Sequence, residues 1–462
     1  MGDTGQPTRQ LAFVWEEAGE ARPEPTEGSR PAAASEQAGA LATGLMEAVV
    51  GAANLRQALR RVRANKGSPG VDGMTVDELP AYLRKAWPAL RAALLAGEYE
   101  PEPVKRVAIP KPDGGERELG IPTVVDRLIQ QAVLQVLTPI YDPGFSPHSY
   151  GFRPGKSAHQ ALEQALAYVA EGRGWVVDLD LERFFDRVNH DVLMGRLAKG
   201  IGDRRLLRLV RRYLEAGVLL NGVVVEREEG TPQGGPLSPL LANILLDEWD
   251  KELERRGHRF CRYADDCNIY VRSQRAGERV LASVSRWLER ELRLKVNGAK
   301  SAVGRPAERP FLGYRIIVVA TARLSVAPRS LARAKATIRR ITRRNRGVSL
   351  GRVLADLGTF TDGWVGYYWQ ARTPSVFKEL DGWIRRRLRC YQWQQWKTAR
   401  RRALELRKAG IGRYLAWGTA YDGPGLWRAA GSPALHQALS NVWLTQRGYH
   451  SLSVRYQTLA AG

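Results

Sequence analysis

The sequence predicts a mixed domain, α/β or α+β, followed by a mostly helical region, and three observations carry that reading. Beyond Gly67-Ser68-Pro69-Gly70, short strand-like runs alternate with amphipathic helices up to about Leu324, the pattern of a layered domain around one core. From Ser330 the apolar residues Leu331, Ala334, Ile338 and Ile341 fall on one helical face, while Arg333, Arg339, Arg340, Arg343 and Arg344 crowd the others. Charge changes at the same boundary: from Arg329 to Arg413 there are 22 Lys and Arg against 5 Asp and Glu, so most of the net charge of +23 sits there.

The elements follow in order. Up to position 50 the chain holds 8 acidic side chains and 3 Arg, with Pro23, Pro25 and Pro31 among Ala, Gly, Glu and Ser, and residues 1–45 are expected to be a disordered acidic leader. A helix is predicted from near Leu45 through Val49, Leu55, Leu59 and Val62, until the Gly67 to Gly70 turn stops it. The run Trp175 to Leu181 reads as a strand, with a helix starting through Glu182 to Phe185, and Phe260 to Val271 as a hairpin. Ser238 and Pro239 read as N-cap and first turn of a helix carrying Leu241, Ile244, Leu245 and Trp249. Gly410, Gly412, Gly423 and Gly425 set off a last small segment. The expected units are 1–45, 46–327, 328–410 and 411–462.

Composition excludes several classes. At 462 residues and 44% hydrophobic content the chain can bury a sizeable core. Cys261, Cys267 and Cys390 cannot make a disulfide framework and do not pair at zinc-knuckle spacing. Glu16, Glu17 and Glu20 stand where a secretory signal needs a basic start, and no 18-residue apolar stretch occurs, so a cytoplasmic protein without a membrane partner is expected. The basic excess suits phosphate backbones. Trp364, Trp369, Trp383, Trp393 and Trp396 lie among those cations, which suits base stacking or packing under the basic surface.

The chemistry concentrates in carboxylates. A two-residue period puts Asp178 and Asp180 on one face of the Trp175 strand, and Asp265-Asp266 occupy the tip of the later hairpin. Adjacent acids in a turn repel unless a cation joins them, although an Asp-Asp turn also occurs as plain turn chemistry. Three acids from two neighbouring elements suit hard Mg²⁺, which takes a few carboxylates plus substrate phosphates. Asp180, Asp265 and Asp266 are therefore the candidate catalytic and metal-binding residues, with Asp178 supporting them. The spacing points to two-metal nucleotidyl transfer.

At these residues the chain resembles the bacterial group II intron reverse transcriptases, or intron maturases, over roughly residues 54–455. The resemblance runs through Asn65 to Gly73, Ile109 to Pro122, Ser149 to Gly155, the Asp180 segment, Thr231 to Pro239, Tyr263 to Asp266, Lys300 and Phe311 to Tyr314, in the family's order. It implies an α+β right-hand polymerase, with fingers and an antiparallel palm sheet, then an α-helical thumb or maturase X domain containing Gly363 to Tyr368.

The same resemblance implies roles for single residues. The backbone carbonyl of Leu181 joins the three Asp as a ligand of two Mg²⁺ ions, for which Mn²⁺ can substitute. Lys111, Arg117, Phe185, Gln233, Gly234 and Lys300 would contact the deoxynucleotide, Phe185 as a bulky ring against a 2′ hydroxyl. Whether Phe184 or Phe185 turns outward is open from periodicity. Phe311, Leu312, Gly313 and Tyr314 would form the primer grip. Arg339, Arg340, Arg343, Arg344, Arg385, Arg386 and Arg387 would hold nucleic acid.

The partners implied are an RNA template, group II intron RNA, a DNA primer, target DNA and deoxynucleotides, in a bacterial cytoplasm among ribonucleoprotein or nucleoid. Residues 411–462 resemble the short C-terminal maturase or DNA-binding end of members without an endonuclease, since no His-Asn-His pattern or cysteine-pair frame follows. A domesticated relative serving phage defence, CRISPR adaptation or DNA repair stays open, as does a splicing factor whose polymerase has decayed, against which the intact acids argue.

Overall fold

The computed structural model describes residues 42–110, 116–220, 223–225, 229–230, 234–422 and 425–461. The expected disorder of the acidic leader falls almost wholly outside them. Its last residue, Leu45, already opens a helix.

Among the described residues the strands are, in chain order, β1 (Val104–Pro110), β2 (Glu116–Ile121), β3 (Trp175–Leu179), β4 (Val218–Leu220), β5 (Val223–Val225), β6 (Arg259–Tyr263), β7 (Asp266–Val271), β8 (Ala302–Gly304), β9 (Tyr314–Val318) and β10 (Ala322–Val326). They form three sheets, ordered β2-β1-β4-β5, β6-β7-β3-β8 and β10-β9. The central sheet is antiparallel throughout. Helices follow from Pro328–Ile341 to Leu452–Ala461, so the fold is α+β, an antiparallel palm followed by a helical C-terminal region.

The central sheet separates two cores because side chains alternate along a strand. Val177 and Leu179 of β3, Phe260 of β6 and Cys267 and Ile269 of β7 enter one core with the buried helices Val124–Tyr141 and Ser238–Arg255. Val176, Cys261 and Tyr270, on the opposite face, enter a second core with Phe311, Tyr314 and the helices Leu350–Tyr368 and Pro374–Gln395. The acids at 178 and 180 share the even-numbered face of β3 with Val176. They therefore look toward the side on which the later helices pack.

Three local expectations change. The single helix expected from Leu45 is two, Leu45–Val49 and Ala52–Ala64, parted at Gly51, where a side chain would come 3.2 Å from the Ala48 carbonyl. The helix expected after Asp180 is a short 3₁₀ turn, Phe184–Asp186, entered through Arg183 at φ 48°, because a left-handed residue breaks the helical path. At Ser238–Arg255 the cap position belongs to Leu237, and Ser238 and Pro239 form the first turn. In Pro328–Ile341 the buried residues are Ser330, Ala334, Ile338 and Ile341, the face expected apart from Leu331, which is half-buried.

Candidate active site

The site begins with register. β3 runs antiparallel to β7 with Asp178 opposite Asn268 and Leu179 opposite Cys267, so the next pair along is Asp180 and Asp266. β6 and β7 close with Tyr263 opposite Asp266, which leaves Ala264 and Asp265 as a two-residue turn. Acids separated by most of a domain in sequence thus meet at neighbouring strand ends.

The turn is strained, since Ala264 has φ 59°, a conformation that costs a non-glycine residue about 1 kcal/mol or more. What holds it is Arg262, fully buried. Its Nη1 donates to the Ala264 carbonyl at 2.8 Å and to Asn243 Oδ1 at 3.0 Å. Its Nε and Nη2 donate to Asp250 at 2.7 and 2.5 Å, and Nη2 also to Ser149 Oγ at 2.8 Å. Gly151 completes the seat: a side chain there would stand 2.3 Å from the Ala264 nitrogen, and Asn243 Nδ2 donates to the Gly151 carbonyl. The Ser149 to Gly155 motif therefore supports the acidic turn from below.

Asp180 is fixed through its backbone. Its N–H donates to Ser301 Oγ at 2.9 Å, and its carbonyl accepts from the Asn297 N–H at 2.8 Å. Leu181 is buried and bridged to Val296. Lys300 Nζ lies 3.3 Å from Asp180 Oδ2, with two thirds of its side chain exposed. The lysine that resemblance links to the nucleotide site thus stands beside the acids.

Electrostatics show the crowding of these acids. The Asp266 carboxyl is pushed up to about 7, first by lost hydration, then by Asp265, Asp180 and Asp178, with Lys300 pulling the other way. The residue keeps an exposed face, so water reaches the site. Asp178 is pushed up to about 6 by lost hydration against the pull of Arg309, 3.9 Å away, with Asp180 adding to the rise. Among the described residues no three His, Cys, Asp or Glu side chains are drawn together tightly enough to ligate one ion by themselves. The donor set nonetheless fits a hard divalent cation, because Mg²⁺ fills much of its shell with water and substrate phosphate.

The remaining candidates divide. Phe184 is buried, and Phe185 is half-exposed with its ring edge-on to Phe184 at 5.1 Å, so the outward ring is Phe185. Gly234 is exposed, and a side chain there would meet the Gly120 carbonyl at 2.6 Å; its loop lies against the end of β2. Lys111 and Gln233 fall outside the described residues, as does the side chain of Arg117, whose backbone pairs with Ile109.

Phe311 and Tyr314 exchange both backbone hydrogen bonds at 2.9 Å, with Leu312 at φ 51° and Gly313 at φ 80° between them. Two positive φ values make this the hairpin turn whose twist suits its strands. The turn is tied to the helix Leu350–Tyr368: Tyr367 donates to the Leu312 carbonyl at 2.8 Å and Tyr314 donates to the Tyr367 carbonyl. A side chain at Gly313 would meet the Tyr368 hydroxyl at 2.5 Å. The Phe311 to Tyr314 and Gly363 to Tyr368 strings, remote in sequence, are one contact.

Arg339, Arg340, Arg343 and Arg344 are exposed, Arg385, Arg386 and Arg387 half-buried. Among the described residues none of the seven makes an ion pair. Arg339 and Arg387 both lie over Trp383, at 5.5 and 5.1 Å, and Arg344 and Arg387 line a cavity of about 220 Å³ with Thr342, Cys390 and Trp427. Trp393 is buried against Trp396, so part of the aromatic content packs beneath the basic surface.

Sequence reasoning missed Arg262, Ser301 and Gln130, whose side chain oxygen lies where a Gly235 side chain would be. A charged residue between Cys261 and Tyr263, within a strand rich in apolar residues, was the one signal for Arg262.

Comparisons with known proteins agree with this geometry. The reverse transcriptase (RNA-dependent DNA polymerase) family model matches residues 109–316, and the group II intron maturase-specific domain model matches residues 331–410. Protein YkfC of Escherichia coli K12 is 35% identical over 304 residues, 57% of this chain and 80% of that protein. The group II intron-encoded protein LtrA of Lactococcus lactis is 39% identical over 195 residues, 42% of this chain and 32% of that protein. An uncharacterised 91 kDa protein in the cob intron of Schizosaccharomyces pombe is 36% identical over 184 residues, 40% of this chain and 22% of that protein. The chain thus spans a third or less of those two intron proteins. Among the described residues no helix is long and apolar enough to cross a membrane.

Proposed function

The chain belongs to the group II intron reverse transcriptase and maturase family, and from that membership we propose that it copies RNA into cDNA and binds group II intron RNA to assist splicing and retrohoming. The observation that best supports this reading is the meeting of Asp180 with Asp266 across β3 and β7, beside the Asp265 turn. Asp180, Asp265, Asp266 and the Leu181 carbonyl are the proposed ligands of two Mg²⁺ ions. Bound there, the ions supply charge neutralisation at the attacking 3′ oxygen and the leaving pyrophosphate.

The chain's own residues position the reactants. Lys111 and Arg117 clamp the triphosphate, Gln233 and Gly234 support the nascent pair, and Lys300 neutralises charge near Asp180. Phe311 to Tyr314 hold the primer end. Arg339, Arg340, Arg343, Arg344, Arg385, Arg386 and Arg387 grip the duplex and the folded intron through their phosphates. The proposed units are the fingers and palm at 46–327, the thumb at 328–410 and a C-terminal segment at 411–462.

The test is direct. Purified protein given an RNA template, a DNA primer, deoxynucleotides and Mg²⁺ makes cDNA; no product from the wild type across a range of salt overturns the reading.

Phe185→Ala is expected to admit ribonucleotides. Removing the ring opens the space a 2′ hydroxyl needs, so ribonucleotide incorporation relative to deoxynucleotide rises by about 10-fold or more, an order set by a contact of 1–3 kcal/mol. Single-nucleotide extension kinetics measure it, and an unchanged ratio removes Phe185 from this role.

Metal binding should depend on pH with a definite sign. The folded Asp266 value, about 7, lies above the unfolded value of about 3.9, so its contribution to stability falls as pH rises between the two and stays unfavourable above 7. A cation takes the ionised form, displacing a proton at pH 6 but hardly any at pH 8. Mg²⁺ is therefore expected to raise the unfolding temperature more at pH 8 than at pH 6, and Asp266→Asn to erase the difference. Equal shifts at both pH values in the wild type would contradict the assignment.

A further inference from the structure

The last helical segment carries a surface that neither the acids nor the thumb arginines use. On the helix Arg413–Tyr421, Tyr414, Trp417 and Tyr421 recur at three- and four-residue spacing, one face of a helix. Ala416 and Ala420, on the other side, are buried in a core with Leu406, Ile411 and Leu435. Tyr414 and Tyr421 lie outside that core, while Trp417 packs partly against it. Tyr414 is 95% exposed and Tyr421 58%. Trp417 is half-buried and stacks on Tyr421, with ring centroids 5.5 Å apart and planes within 21°.

Folding gains nothing from a tyrosine ring left almost wholly in water, so packing explains Trp417 but not Tyr414. Its surroundings suggest what covers it. Between 397 and 428 there are eight Lys and Arg against Glu405 and Asp422 alone. Arg400, Arg401, Arg407, Lys408 and Arg413 are exposed on this helix and on its neighbour Ala399–Lys408. Flat rings among unbalanced cations match a strand whose bases are free to stack and whose phosphates need neutralising. Duplexes hide their base faces, and unpaired loops and ends display them.

We propose that Tyr414, Trp417 and Tyr421 form a stacking platform for unpaired bases of RNA, with the adjoining cations on its phosphates. RNA rather than DNA is taken as the occupant because the proposed function includes holding a folded intron, whose loops leave bases unpaired; the stripe begins four residues beyond the maturase-specific domain match, which ends at 410. The proposal rests on the RNA-binding half of the function proposed above and is independent of the polymerase half.

The test uses the full chain and fluorescence anisotropy with three labelled probes: an RNA oligomer without internal pairing, the same sequence as DNA, and an RNA hairpin. Tyr414→Ala with Tyr421→Ala is expected to weaken the unpaired RNA by about 10- to 100-fold, leaving the hairpin within about twofold. Tyr414→Phe with Tyr421→Phe keeps the rings and is expected to bind unpaired RNA within about threefold of wild type, which also guards against misfolding. Unchanged RNA binding by the alanine pair, an equal loss on the hairpin, or wild-type binding to the DNA tighter than to the RNA overturns the proposal. So does a wild-type dimer that the alanine pair dissolves in sedimentation, since the platform would then serve a second copy. The alanine pair is expected to extend a preannealed primer at the wild-type rate. Absence of cDNA from wild type would count against the polymerase and leave the RNA result standing.

Discussion

Asp265→Ala combined with Asp266→Ala is expected to lower cDNA synthesis by about 10³-fold or more while leaving RNA affinity within about twofold. The two acids stand at the tip and first residue of β7, with Asp180 opposite Asp266 in register. If these carboxylates hold the cations that neutralise a pentacoordinate phosphate, losing two of them removes several kcal/mol of transition-state stabilisation, and each 1.36 kcal/mol is a factor of ten. On the proposed reading RNA affinity rests on the arginines around Trp383 and on the later helices, which lie on other elements. Removing two acids from a crowded site also removes the lost hydration, and then the repulsion, that lift Asp266 to about 7. The variant is therefore expected to unfold no earlier than wild type without Mg²⁺. Primer-extension rates, RNA anisotropy and thermal melts together check the prediction. Synthesis within tenfold of wild type would remove the metal assignment.

Arg262→Leu is expected to cost about 3–5 kcal/mol of stability, because it strands the wholly buried Asp250 without a counter-charge and takes donors from Asn243, Ser149 and the Ala264 carbonyl at once. Activity should fall with it even in the folded fraction, since Ala264 at φ 59° then loses the hydrogen bond that holds it in a strained conformation. Arg262→Leu with Asp250→Leu separates the two effects. Replacing both partners by apolar groups is expected to restore most of the stability and little of the activity. Denaturant unfolding with primer extension on the same samples measures both. A single variant within about 1 kcal/mol of wild type would show that the turn is held by something else.

Much of this arrangement was legible because its signals are local. A strand's period is two residues, so Asp178 and Asp180 read as sharing a face, and apolar arms around Ala264-Asp265 read as a hairpin from composition alone. The arginine-rich helix at Pro328–Ile341 showed its buried side through three- and four-residue spacing. Identity at the level of residue types also carried the family, since the motif order survives in a single chain. Where local signals compete, the reading failed. Arg183 at φ 48° turned the expected helix after Asp180 into a single 3₁₀ turn, which is why periodicity could not choose between Phe184 and Phe185. Gly51 parted one expected helix into two.

The amino-acid sequence, taken alone, determined which residues are candidates for the chemistry: the three acids, the basic helices and the turn motifs all follow from residue type and short-range spacing. Tertiary structure decided which of them meet. The opposition of Asp180 and Asp266, the Ser301 anchor 121 positions from Asp180, the Arg262 and Asp250 pair, and the Tyr367 clasp on Leu312 depend on strand register and helix docking. Those are set by the burial of two whole cores at once, so no window of sequence a few residues wide contains them.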